Sequence, residues 1–261
     1  MNSLLITDLG LISYTDACAL QQRLVAARKV DAIEDVLLFC EHPHVITLGR
    51  NANRANLLVS ENVLRQKNVE LHSTNRGGDI TYHGPGQIVG YPILHLDKVK
   101  RDVGWYVRTL EEAMIRASAD FGVTAYRVPG KTGIWVEAVP TEEKLAAIGV
   151  HISRWVTSHG FAYNVSTDLR YFQLIVPCGI AERSATSLEK LLGRAVAIAD
   201  VAAPIARHLG EVLQLDMHSV ARVQFLEDLA RAEAQAEQSP PSPAIPVKAP
   251  VQALETVRSN A

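Results

Sequence analysis

Apolar positions along the first 235 residues fall into short runs with two different periods. Runs rich in Val, Ile, Leu, Thr and Tyr, with partial alternation, predict strands at 4–9, 35–42, 44–50, 69–74, 79–83, 87–96, 123–128, 133–139, 146–152 and 160–166. Segments 14–29, 60–67, 102–121, 186–193, 198–214 and 219–236 repeat instead at helical spacing. The third is the clearest. Asp102 can cap it, Tyr106, Leu110, Ala113, Met114, Ala117 and Phe121 form one stripe, and Gly122 ends it. Thr186-Ser187-Leu188-Glu189 reads as a capping box for the next.

Many strands with few strand–helix–strand units predict a mixed α/β (α+β) sheet in one domain, not a doubly wound one. No internal linker divides residues 1–235, which form the expected folded unit. The pattern then stops. Residues 233–238 are rich in Ala, Glu and Gln, and five prolines lie between Pro240 and Pro250. Such a composition neither packs nor propagates a helix, so 236–261 is expected to be a disordered Pro-rich tail.

Composition narrows the class. The chain has 261 residues, 48% of them hydrophobic and 21% charged, with a net charge of −2, which suits a soluble globular protein. The near-neutral balance argues against a nucleic-acid binder. No apolar run approaches the roughly 18 residues of a membrane helix. The start, MNSLLITDLG, has no basic residue before Arg23, so neither a signal nor a transit peptide is read there and a cytoplasmic location is expected. Cys18, Cys40 and Cys178 are an odd count without framework spacing, which fits a reducing compartment.

Cys178 stands out among them. It lies in Pro177-Cys178-Gly179, where small, rigid flanks leave a sulfur approachable, although most free cysteines are simply small buried hydrophobes. An ammonium held near it would lower its pKa from about 8.5, and Lys144 is the candidate, with Lys131 a weaker one. Arg76-Gly77-Gly78-Asp79-Ile80-Thr81-Tyr82-His83-Gly84-Pro85-Gly86 packs four glycines into eleven residues, which lets backbone approach a ligand closely. A plain turn between strands is the competing reading. Pro129-Gly130-Lys131-Thr132 imitates the end of a phosphate loop, but Ala125 stands where the first glycine belongs, so it reads as a turn. Cys40-Glu41-His42-Pro43-His44 has alternating metal-type ligands with no second cluster, and it too reads as a turn, with no metal expected. His159 precedes the apolar run at Gly160 and is a candidate pocket residue or a structural one. His151 carries no assignment.

These segments, in this order, resemble the octanoyltransferases of lipoate synthesis: EHPHVITLGR, RGGDITYHGPGQ, KLAAIGV, WVTSHGFAYNV and PCGI. The resemblance spans roughly residues 3–215. It implies a fold similar to the catalytic domains of biotin– and lipoate–protein ligases. It implies transfer of octanoyl from acyl carrier protein to one lysine of a lipoyl domain, as found in 2-oxoacid dehydrogenase E2 subunits and the glycine cleavage H protein. The thioester cysteine of that family falls on Cys178 and its pKa-lowering lysine on Lys144. Its acyl-binding segments fall on Arg76 to His83, on Ala147, Ile148 and Gly149, and on Gly160, Phe161 and Ala162, with His159 a candidate supporting residue. Thioester exchange followed by amide formation needs neither ATP nor any other cofactor. Arg50, Arg54, Arg65, Lys67 and Arg76 are candidates for a patch that docks an acidic carrier. A monomer is expected, since no dimer signal stands out. An ATP-dependent ligase, a thioester hydrolase and a non-catalytic carrier-binding module are the competing readings.

Overall fold

The hydroxyl of Ser13 accepts a hydrogen bond from the Asp16 N–H (3.0 Å) and so opens the first helix. The computed structural model describes residues 3–176 and 184–238. In chain order the elements are β1 (Ser3–Leu11), α1 (Tyr14–Lys29), β2 (Asp35–Glu41), β3 (Val45–Leu48), α2 (Glu61–Gln66), β4 (Glu70–Ser73), β5 (Ile80–His83), β6 (Gln87–Ile93), α3 (Val103–Asp120), β7 (Ala125–Val128), β8 (Lys131–Val136), β9 (Glu143–Ser153), β10 (Val156–Asn164), α4 (Leu188–Leu192), α5 (Ile198–Leu213), β11 (Asp216–Ser219) and α6 (Arg222–Gln238).

Eight strands form one mixed sheet in the order β11-β1-β2-β6-β10-β9-β8-β7. β1 runs parallel to both β2 and β11, and the remaining pairs are antiparallel. A smaller sheet, β4-β3-β5, stands apart from it. Helices cover both faces of the large sheet. On one face Tyr106, Leu110 and Met114 of α3 and Ile205 and Leu209 of α5 pack with Phe161 and Tyr163 of β10. On the other, Leu20 and Leu24 of α1 and Phe225 and Leu229 of α6 pack with Val36, Leu38, Val89 and Ala162. β10 is therefore buried at every position. A third core, with Ile46, Leu64, Ile80, Tyr82 and Leu174, lies at the small sheet.

The helices at 14–29, 60–67, 102–121, 186–193 and 198–214 form within two residues of expectation, and Asp102 caps its helix as read. The cap of α4 falls one residue later than the capping box placed it, on Ser187, whose hydroxyl accepts from Lys190 N–H (3.3 Å). Three differences have physical causes. β10 begins at Val156, earlier than its apolar run suggests, because a two-residue turn at Arg154-Trp155 joins it to β9, and β9 begins early, at Glu143, where it pairs with Val136 of β8. Both turn residues have positive φ (51° and 61°), the type I′ arrangement that Gly and Asn usually signal and that these side chains conceal. β11 lacks alternation because it is a mostly exposed edge strand. Residues 236–238, expected in the tail, are the last turn of α6, whose Ala, Glu and Gln favour helix.

Candidate active site

Arg76 fixes the geometry of the glycine-rich loop. Its guanidinium is buried, with Nε donating to Thr47 Oγ1 (3.1 Å), Nη2 to Thr47 O (2.7 Å) and Nη1 to Gly77 O (3.1 Å). Gly77 N–H then donates to Val150 O (2.9 Å), which ties the loop to β9. Asp79 holds the other end through Asn53 N–H (3.0 Å) and the Asn56 side-chain amide. The backbones meet too closely for side chains. A Cβ on Gly49 would lie 2.3 Å from Gly78 O, and one on Gly149 2.8 Å from Gly77 O.

Between this loop, β5 and the β6–β10–β9 stretch of the large sheet lies a cavity of about 470 Å³, within the roughly 300–1,000 Å³ range of small-ligand sites. The structure brings Arg76, Gly77, Gly78, Asp79, Ile80, Thr81 and His83 to it, together with Ala147, Ile148, Gly149, His159, Gly160, Phe161, Ala162 and Lys144. Tyr82 is the exception. Alternation along β5 turns its ring into the third core, where its hydroxyl donates to His44 Nδ1 (2.7 Å) and its ring stacks on Tyr171. Arg76 also leaves the docking patch expected of it, because it is buried. Arg54 in that patch is paired with Glu61 (3.2 Å).

Lys144 sits near the start of β9. Its N–H donates to Ser184 O (3.0 Å), and its carbonyl accepts from Thr186 N–H (3.0 Å). Its ammonium lies 4.6 Å from the centroid of Trp135, and that of Lys131 lies 5.9 Å from the same ring. Both lysines line the cavity. Cys178 falls outside the described residues.

The two histidines of the cavity wall, His83 and His159, are held neutral at physiological pH. Burial pushes the His83 imidazole down to about 3, with His42 and other neighbours adding to the shift. Burial likewise pushes His159 down to about 4, with Arg76 and His151 contributing. His83 Nδ1 donates to Gln87 Oε1 (2.7 Å), Gln87 Nε2 to Asn164 Oδ1 (2.9 Å) and Asn164 Nδ2 to Thr186 O (2.9 Å). This chain runs from the cavity wall to the segment bonded to Lys144. Tyr14, Val89, Tyr91, Val107 and Thr132 also line the cavity. Nothing in the local sequence marks the first four, because α1, β6 and α3 reach it only through tertiary packing, while Thr132 belongs to the segment read from sequence as a turn and lies instead on β8.

Cys40, His42 and His44 do not converge on a metal. Tyr91 donates to His42 Nε2 (2.7 Å), His42 Nδ1 donates to Ile12 O (2.8 Å), and His44 turns to Tyr82. Among the described residues no group of three or more His, Cys, Asp or Glu side chains is arranged to hold a metal ion. No helix among them is long and apolar enough to cross a membrane.

The lipoyl protein ligase A/B catalytic domain matches residues 13–210. An octanoyltransferase of Solibacter usitatus is 51% identical over 217 residues, covering 83% of this chain and 96% of the relative. One of Koribacter versatilis is 47% identical over 226 residues, covering 86% and 88%. In fold the chain resembles a bipartite lipoate protein ligase from Thermoplasma acidophilum, with a TM-score of 0.69 and 19% identity over 88% of this chain and 91% of that one. It also resembles a lipoate-protein ligase A solved with ATP, with a TM-score of 0.66 and 18% identity over 88% and 92%. The chain belongs to the lipoyl protein ligase A/B catalytic-domain family, and it is an acyltransferase. The group it transfers is octanoyl.

Proposed function

We propose that octanoyl passes through a thioester on Cys178, from acyl carrier protein to a lysine of a lipoyl domain. The Cys178 thiolate attacks the donor thioester carbonyl, and the pantetheine thiolate leaves and takes up a proton. The acceptor lysine amine then attacks the acyl-enzyme. An amide C–N bond forms, the C–S bond breaks, and the amine's proton returns to the sulfur by way of Lys144. No ATP is consumed.

One observation carries this reading: Lys144 lines the same cavity as nearly every residue expected to bind the acyl chain. Its main chain is also bonded to Ser184, six positions after Cys178. At an unshifted pKa of about 8.5 only about 3% of a thiol is ionised at pH 7, and a drop of about 1.5 units gives roughly half. A neighbouring ammonium supplies a shift of that size. Burying the acyl methylenes at about 0.8 kcal/mol each is worth about 5–6 kcal/mol, enough to anchor the chain.

The donor is octanoyl-acyl carrier protein. The acceptors are lipoyl domains of 2-oxoacid dehydrogenase E2 subunits and the glycine cleavage H protein. The enzyme acts as a cytoplasmic monomer, and its catalytic unit closes with α6. Intact mass after incubation with octanoyl-carrier protein tests the thioester. An octanoyl adduct that is absent in Cys178→Ser supports it. Turnover by an enzyme that never carries the adduct overturns it. The ligase fold of the structural relatives keeps an ATP-dependent reading in view, and calorimetric binding of ATP would revive that reading.

A further inference from the structure

A second cavity, about 880 Å³, lies between α1, residues 72–75 and the β9–β10 turn. Tyr14 and His159 line both this cavity and the acyl cavity. Both side chains are buried, and both are tied in place. The Tyr14 hydroxyl donates to Thr74 Oγ1 (3.3 Å), and its ring stacks on His83 at 6.2 Å. His159 Nε2 donates to Asn75 Oδ1 (2.7 Å), and the His159 N–H donates to Gln21 Oε1 (2.7 Å). Tyr14 and Gln21 both belong to α1, so one helix braces both halves of the partition. His159 holds φ at 54°, a left-handed conformation unusual for a side chain of its kind, in the middle of a buried strand.

We infer that Tyr14 and His159 are the end wall of the acyl cavity and set the longest acyl chain the enzyme transfers. This rests on the reading of that cavity as the octanoyl site. The register pairs Ala147 with Ala162 and Ala162 with Val89, so the path across β9, β10 and β6 spans two strand spacings, roughly 10 Å. An extended eight-carbon chain has seven C–C bonds of about 1.5 Å and reaches about 9 Å. Its methyl end then arrives at Tyr91, Tyr14 and His159. A longer chain has to displace two hydrogen-bonded rings before it gains the space beyond, where Ala19, Val25 and Ala26 of α1 offer apolar surface. Each methylene left unburied forfeits about fourfold in binding.

The test is a chain-length profile with octanoyl-, decanoyl- and dodecanoyl-carrier protein, read as the rate of acyl-enzyme formation by intact mass and as kcat/KM for transfer to a lipoyl domain. In the wild-type enzyme the twelve-carbon donor is expected to fall at least tenfold below the eight-carbon donor. His159→Gly removes the ring at a φ that glycine favours and joins the two cavities. It is expected to raise the twelve- to eight-carbon ratio at least tenfold. Tyr14→Ala opens the same wall from α1 and should move the ratio the same way, with thermal unfolding identifying which variant is folded. A folded variant that keeps the wild-type profile overturns the inference. So does a wild-type enzyme that takes both chains equally, a comparison that stands even where neither variant folds. A wild-type enzyme that forms no octanoyl adduct overturns the thioester reading instead.

Discussion

The ammonium of Lys144 rests 4.6 Å from the centroid of the Trp135 indole, and the two residues pair across β8 and β9. A buried aromatic face attracts a cation by about 0.5–2 kcal/mol and restricts where a long side chain points. Trp135 is almost fully buried, so it does this from a fixed position. Trp135→Phe keeps an aromatic face and is expected to retain most octanoyl transfer. Trp135→Leu loses the face and part of the core volume, at a cost of about 2–4 kcal/mol of stability. Its transfer rate should fall tenfold or more even well below its unfolding midpoint. Urea titration with parallel kinetics separates the two effects. Equal activity in the Phe and Leu variants would show that the ring does not position Lys144.

Thr47 is the anchor of the glycine-rich loop. Its hydroxyl and carbonyl together receive three hydrogen bonds from Arg76. Thr47→Val keeps the shape and removes the hydroxyl, leaving buried guanidinium donors short of an acceptor, at a cost of about 1–3 kcal/mol. Thr47→Ser restores the acceptor and should recover most of that loss. Urea midpoints for the three proteins check it, and a Val variant as stable as wild type would remove Thr47 from this role.

Much of this arrangement is legible in the chain, and the exceptions share a cause. The glycines and Arg76 announce a loop that backbone can approach closely, and the helical stripes set five helices within two residues. What pattern cannot show is direction. Arg76 reads as a surface cation, yet it is buried because Thr47 lies across from it on β3. Tyr82 sits inside a cavity motif but faces the other core, since β5 is only four residues long and alternates. Tyr14 reads as an ordinary helix-start residue, and its contact with Thr74 exists only once α1 packs over the large sheet. Lys144 gains its neighbour Trp135 through strand register, which separation along the sequence does not encode. Cys178, the proposed nucleophile and the clearest chemical signal in the sequence, lies outside the described residues.

Acid is expected to destabilise the fold through its buried histidines. His83 and His159 sit at about 3 and about 4, below the ordinary value near 6.5. The unfolded chain therefore binds protons that the folded state refuses. Their contribution is complete above about pH 6.5 and drains away as pH falls toward the folded values. Between pH 7 and pH 5 each should cost on the order of 2 kcal/mol. Burial lowers His42, His44 and His151 as well, which adds in the same direction. Unfolding in urea at pH 7 and pH 5 measures the slope, and His83→Gln should flatten it. A His83→Gln protein with the wild-type slope would show that His83 is protonated as easily in the fold as out of it.

Gly149 and Gly160 pair directly across β9 and β10, yet a methyl group on each meets different neighbours. On Gly160 it would lie 2.1 Å from Gly90 O and 2.6 Å from Pro92 Cδ, both within the central sheet. The sheet has no room to yield, so Gly160→Ala should lose about 1–3 kcal/mol through overpacking. On Gly149 it would lie 2.8 Å from Gly77 O and 3.3 Å from Arg76 Cδ, in the loop that walls the proposed acyl cavity. Gly77 O is backbone, held by the Gly77 N–H bond to Val150 O and by Arg76, so the loop has to move away from β9. Gly149→Ala is therefore also expected to lose about 1–3 kcal/mol through overpacking, and its kcat/KM for octanoyl transfer should drop about tenfold even where the protein is fully folded, since a small displacement of the loop displaces the bound chain. Urea midpoints read the first effect in both variants, and kinetics on the folded Gly149→Ala protein read the second. A Gly149→Ala enzyme with full activity would mean that the contact between the glycine-rich loop and β9 does not shape the acyl site.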